Sequence, residues 1–174
     1  VQANQLTAEQ VSILIIPAGK ALGGQGALIL SKQIIIQHLI ETARSYLFST
    51  APAPAMAAAL SHALKCLQTQ PEHHARLQEN IAHFTQLANA AALPVLPSQS
   101  AIQPLMVGSN ERALWLAEYM LQKGFWISAI RPPTVPIGRA RLRITLTALH
   151  DTAQITALVN ALHDALELNN EFTH

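Results

Sequence analysis

The sequence predicts an α/β chain in two parts, the second a small α+β domain. Three observations predict it. Two short apolar runs, Val11–Ile16 and Ala27–Leu30, flank a glycine-rich turn. Stretches with helical apolar spacing then fill positions 33 to 92. After Pro94 the pattern becomes strand, helix, strand, strand, helix, the order of a layer domain with helices on one face of a sheet. Residues 1–70 read as part of a larger α/β domain, 71–94 as a linking helix and 95–174 as the small domain.

Each element has a local reason. Val11–Ile16 is nearly continuous in apolar residues and ends at Pro17, which suits a strand buried on both faces in a parallel sheet. Gly19, Gly23, Gly24 and Gly26 surround Lys20 and permit a sharp turn before the second strand. Gln33–Phe48 has helical spacing at Ile35, Leu39 and Ala43, and Ala55–Gln68 is rich in the strong helix formers Ala and Leu. Pro71 suits a helix start, Glu72 complements its first turn, and Leu77, Ile81 and Phe84 continue its apolar face towards Ala92.

In the last third, Ile102–Val107 and Phe125–Ile130 read as strands around a helix at Asn110–Lys123. Arg141–Thr147 alternates strictly, with Leu142, Ile144 and Leu146 on one face and Arg143, Thr145 and Thr147 on the other. The final helix begins near Asp151, an N-cap with Gln154 three residues on, and carries the stripe Ile155, Leu158, Val159, Leu162 and Leu166. The tail from Asn169 is polar and is expected to fray.

Composition narrows the partners. The chain has 174 residues, 50% hydrophobic and 12% charged, with a net charge of +1, so no surface for nucleic acid is expected. Four of its arginines, Arg131, Arg139, Arg141 and Arg143, fall between positions 131 and 143 and form a local candidate for anion binding. Cys66 is the single cysteine, which excludes an internal disulfide and fits a reducing, cytoplasmic compartment. No run reaches the ~18 apolar residues of a membrane span, and no basic-then-apolar leader is visible. The polar opening, followed at once by a strand, reads as a beginning in mid-domain. The histidines are scattered without ligand spacing, so no metal site is expected. Trp115, Tyr119, Trp126, Met106 and Met120 read as core or interface residues.

Two places carry chemistry. Lys20 follows a strand and opens a glycine turn. That setting gives an amine fixed reach beside backbone N–H groups able to face a phosphate, though a surface lysine in a hairpin turn has the same spacing. A nucleotide-binding loop is a poor fit, because there the lysine follows the glycines. The second place is Arg131-Pro132-Pro133-Thr134-Val135-Pro136 with Arg141-Leu142-Arg143. Two arginines two apart on a strand share a face, and their forks suit carboxylate or phosphate; a solvated edge strand would look alike.

Taken together, these segments resemble the α-oxoamine synthase family of fold-type I, pyridoxal 5'-phosphate (PLP) dependent enzymes. The resemblance rests on Gly19-Lys20-Ala21-Leu22-Gly23-Gly24-Gln25-Gly26, Phe48-Ser49-Thr50-Ala51-Pro52, Ser100–Leu105, Ala129–Pro136 and Arg141–Ala148. It implies the C-terminal half of such an enzyme: the end of the large-domain sheet with its helices, then the small C-terminal domain. Within the family it points to the branch that condenses L-alanine with a pimeloyl thioester, carried by coenzyme A or a carrier protein, on the route to biotin. Sister branches and a non-catalytic truncated product are the alternatives.

The resemblance also implies roles. Lys20 would hold the cofactor and then remove the α-proton of the amino acid. Thr50, with Ser49, would reach the cofactor phosphate of the partner subunit in a homodimer. Thr134 would touch substrate, Arg143 would hold the amino-acid carboxylate, Arg141 would support it, and Arg131 is a further candidate for substrate contact. One departure stands out. Where the family has a hydroxyl residue three positions before the lysine, this chain has Pro17, with neither hydroxyl nor N–H. The family's aspartate against the pyridine nitrogen and its ring-stacking histidine would come from an upstream half, so this chain alone is not expected to turn over substrate.

Overall fold

The structure, a computed structural model, describes residues 5–7 and 9–171, the side chains of 169–171 excepted. The chain divides into two compact units, Val1–Gln70 and Pro71–His174.

The first unit opens with a hairpin of β1 (Ile13–Pro17) and β2 (Ala27–Ser31), antiparallel, with Ile13 opposite Ser31 and Pro17 opposite Ala27. The expected burial on both faces is not observed: Ile13 and Ile15 of β1 are exposed. Parallel neighbours need a crossover of about a dozen residues or more, and residues 18–26 between the strands are too few. Ile13, Ile15, Ile29 and Leu30 accordingly lie exposed on the hairpin. Helix α1 (Gln33–Thr42) and the short α2 (Arg44–Leu47) replace the single helix expected over Gln33–Phe48. The break falls at Ala43, in extended conformation. Just before it the Thr42 hydroxyl donates to the His38 carbonyl at 2.6 Å, a local bond of the kind that bends helices. Helix α3 (Pro54–Thr69) starts with proline at its first position, where no N–H is needed.

The second unit holds the core. Its sheet has the order β3 (Ile102–Gly108), β5 (Ala140–Thr145), β4 (Ser128–Ile130), antiparallel throughout. Helix α5 (Asn110–Gln122) packs on all three strands, while α4 (Pro71–Ala90) and α6 (Thr152–Glu171) pack on each other and α6 also on α5. Leu105, Leu116, Met120, Leu142, Ile144, Ile155 and Leu162 are buried in one cluster with Phe84 of α4. The alternation in β5 therefore does what its sequence implies: one face is core, and the face bearing Arg141 and Arg143 is not.

Three boundaries differ from expectation. Strand β4 starts at Ser128, not Phe125. Strand β5 ends at Thr145 because Thr147–His150 forms a turn fastened from α4: Asn80, almost fully buried, donates from Nδ2 to the carbonyls of Thr147 and His150, each at 2.9 Å. Helix α6 runs on to Glu171 rather than fraying from Asn169; residues 172–174 lie outside those described. Its start is as expected. Asp151 accepts from the Gln154 amide at 2.7 Å, and Gln154 Oε1 accepts from the Asp151 amide at 3.0 Å, a reciprocal cap.

Candidate functional site

In the first unit the site is the loop between β1 and β2. The Ala18 amide donates to the Gly26 carbonyl, Gly24 to the Ala18 carbonyl and Gly23 to the Lys20 carbonyl, all at 2.9 Å. Lys20 thus opens a hydrogen-bonded turn whose neck is fastened at Ala18, a fully buried residue, while Lys20 itself is exposed. Gly23 and Gly26 take positive φ, +66° and +80°, which a side chain would resist. Gly24 has a different reason to be glycine: a Cβ there would come within 2.5 Å of Leu60 Cδ2, so the turn sits directly against α3. The sequence marks this loop as glycine-rich but not which glycine docks it.

Ser49 and Thr50 lie on the exposed stretch between α2 and α3. The Ser49 hydroxyl donates to the Ser45 carbonyl, and Thr50 stands four residues ahead of the first residue of α3, the helix that Gly24 touches. Pro17 is the last residue of β1, opposite Ala27. It offers the Lys20 turn neither a hydroxyl nor an amide proton.

In the second unit the residues singled out from sequence fall on one hairpin. Arg141 is opposite Ile130 on β4 and Met106 on β3, and Arg143 is opposite Ser128 and Pro104. Directly opposite residues share a face, so the two arginines stand on the sheet face away from Leu142 and Ile144. Arg131 begins the loop to β5, and its carbonyl accepts the Thr134 amide at 3.0 Å. Arg131, Thr134 and Arg143 are exposed, and Arg141 is half-buried. The Arg141 Nε donates to the Arg139 carbonyl at 3.1 Å. Among the described residues Arg143 has no hydrogen-bond or ion-pair partner, which leaves its fork available to an anion.

Other expectations are revised. Trp126 is not a core residue: it is 92% exposed, beyond the edge of β4. Trp115 and Tyr119 stack at 5.3 Å on α5, half-buried, with Lys123 Nζ 5.4 Å from the Tyr119 ring. Met120 is buried and Met106 only partly so. A cleft of about 340 Å³ in this unit, lined by Trp126, His150 and Ile155 among others, includes none of Arg131, Thr134, Arg141 and Arg143. No described helix is long and apolar enough to cross a membrane.

Comparison with known proteins gives the family. The family described as aminotransferase class I and II matches residues 6–162, and the chain belongs to it. Within that family it is similar to 8-amino-7-oxononanoate synthases. That of Serratia proteamaculans (strain 568) is 49% identical over 152 residues, 87% of this chain and 40% of that protein. That of Stenotrophomonas maltophilia (strain R551-3) is 42% identical over 165 residues, 95% of this chain and again 40% of that protein. The crystal structure of 8-amino-7-oxononanoate synthase from Francisella tularensis superposes with a TM-score of 0.80 at 29% identity, over 91% of this chain and 46% of that one. A serine palmitoyltransferase from S. paucimobilis with a bound PLP–myriocin aldimine gives a TM-score of 0.84 at 23% identity, over 91% and 40%; at that identity it attests the fold alone. The fold is that of the fold-type I enzymes, as the resemblance implies. The chain spans about 40% of the length of the curated relatives it matches.

Proposed function

We propose that this chain is a portion of an 8-amino-7-oxononanoate synthase, a PLP-dependent acyltransferase of biotin biosynthesis. Its reaction is the decarboxylative condensation of L-alanine with a pimeloyl thioester of coenzyme A or carrier protein. The observation that carries the reading is the 49% identity over 152 residues to the Serratia proteamaculans enzyme. The serine palmitoyltransferase likeness, higher in TM-score but at 23% identity, gives no competing claim on substrate.

The donor set fits the cofactor. Lys20 offers a primary amine to an aldehyde, and its turn is closed by backbone hydrogen bonds and seated on α3 at Gly24, so the backbone that carries the amine is anchored. Thr50 offers a hydroxyl to a phosphate, and Ser49 would do so on releasing the Ser45 carbonyl. Bound PLP supplies an electron sink for the charge left when the amino-acid α-carbon loses its proton. Lys20 Nζ would hold the cofactor and, as a free amine, would take the α-proton of the amino acid. Arg143 receives the alanine carboxylate in a bidentate contact. Thr134 and Arg131 contact substrate from the β4–β5 loop. Thr50, with Ser49, reaches the phosphate held by the partner subunit of a cytoplasmic homodimer. Pro17 gives the phosphate beside Lys20 neither a hydroxyl nor an N–H, so phosphate binding is weaker or is carried by other groups.

Cofactor labelling tests the reading. The chain is incubated with PLP and reduced with borohydride, and the adduct is mapped by mass spectrometry. The adduct is expected on Lys20, with little on Lys32, Lys65 or Lys123, and lost in Lys20→Ala. Even labelling of all four lysines would refute the assignment. In the whole protein, Lys20→Ala abolishes nearly all product formation from alanine and pimeloyl thioester.

A further inference from the structure

Arg141 and Arg143 share a sheet face, yet their guanidinium groups are in different situations. Arg143 has no partner among the described residues, whereas Arg141 Nε donates to the Arg139 carbonyl at 3.1 Å. The acceptor lies at the end of the loop 131–139, which joins β4 to β5 and carries Thr134. That loop has little else to hold it. Pro132, Pro133 and Pro136 supply no N–H, and within it the backbone makes the Thr134–Arg131 and Arg139–Pro136 hydrogen bonds, at 3.0 and 3.1 Å. Ile137 at its tip is 92% exposed, and Gly138 has positive φ with open space around it. The Arg141 stem, half-buried, stands between Met106 and Ile130 in the register, apolar neighbours that restrict its rotamers and so hold Nε in place.

We infer that Arg141 is a positioning residue: its Nε–H fastens the end of the 131–139 loop and thereby sets where Thr134 stands. Its contribution is a donor at one point along the side chain, not its positive charge. The consequence for Thr134 rests on the function proposed above, but the tie itself does not, and the two are tested separately.

Side-chain chemistry offers a clean separation. Glutamine places an amide N–H at the same number of bonds from the backbone as arginine Nε, with no charge. Lysine keeps the charge but has a methylene at that point. Hydrogen exchange is measured at the Thr134 and Arg139 amides in Arg141→Gln, Arg141→Lys and Arg141→Met, with the amides of α6 as internal reference. In Arg141→Gln, loop exchange stays close to that of the unaltered chain. In Arg141→Lys and Arg141→Met it speeds up roughly two- to tenfold, the range for one lost hydrogen bond of typical net strength at an exposed position, and α6 does not change. The opposite order, Lys slow and Gln fast, would show that Arg141 acts through charge and overturn the inference. So would unchanged exchange in Arg141→Met, or a loss of α6 protection equal to that of the loop. In the whole protein, Arg141→Lys then raises the alanine concentration for half-maximal turnover more than Arg141→Gln does. Protected loops without that kinetic difference would leave the tie standing and count against the proposed role of Thr134.

Discussion

Arg143 is where a single side chain separates function from support. Its neighbours in β5, Leu142 and Ile144, are buried and hold the strand in place, while Arg143 is exposed and has no partner among the described residues. Its removal therefore leaves the core untouched, and surface changes of this kind shift stability by less than about 0.5 kcal/mol. A bidentate contact to a carboxylate is worth roughly 1.5–3 kcal/mol, or about ten- to a hundredfold in binding. In the whole protein, Arg143→Ala is expected to raise the alanine requirement by that factor with an unchanged melting temperature, and Arg143→Lys to recover only part of it, because the fork is gone. Alanine titration beside a thermal melt checks both; a collapsed melt would make Arg143 structural. The sequence places this residue well, because alternation with period two assigns faces without knowledge of the sheet. It does not distinguish Arg143 from Arg141, since what separates them is the Arg139 carbonyl, a backbone atom whose position depends on the loop.

Elements were legible where their signals are local and obscure where they depend on partners. The α6 cap was readable because Asp151 and Gln154 satisfy each other's amides within one turn. The end of β5 was not, because it is set by Asn80, sixty-seven residues before Thr147. Both Asn80 partners are carbonyls, so its side chain must present the amide nitrogen, and this defines a test. Asn80→Ala removes two hydrogen bonds from a buried position, at a cost of about 1–3 kcal/mol. Asn80→Asp is expected to be at least as damaging at neutral pH, because a carboxylate only accepts and would face two carbonyl oxygens. Those oxygens favour the neutral acid and raise the folded-state pKa of the new aspartate, so the variant regains stability as the pH falls and the carboxyl recovers an O–H. Denaturant midpoints of both variants across pH measure it. An Asp variant as stable as the parent at neutral pH would mean that Asn80 does not fasten the turn. The hairpin of β1 and β2 shows the converse: its apolar content suggests a strand buried on both faces, but Ile13 and Ile15 are exposed, and the nine residues between the strands allow this pair only an antiparallel return.

For the whole molecule, burial is very unequally shared. Every member of the hydrophobic core cluster, from Ile81 to Ala165, lies in the unit Pro71–His174. In α1, α2 and α3 no residue is buried, and in the first unit as described only Ala18 is. Local opening is governed by how much apolar surface an element buries, at about 25 cal/mol per Å². The first unit, which leaves Ile13, Ile15, Ile34 and Phe48 in contact with solvent, should open far more often than the second. Limited trypsin digestion converts this into an observable. Lys20, Lys32, Arg44 and Lys65 offer cleavage sites in the first unit, whereas Arg143 follows the fully buried Leu142 in the middle strand of the second unit's sheet. The expected course is rapid loss of everything up to Lys65 and a persistent product beginning at Cys66 that keeps the helical signal of α4, α5 and α6. Binding of PLP through Lys20 would slow cleavage at Lys20 itself, since trypsin requires the free amine, without protecting Lys65 to the same degree. Cleavage at Arg143 as early as at Lys65, or a resistant product containing residues 13–31, would show that the first unit opens no more readily than the second and that its exposed apolar side chains do not govern its opening.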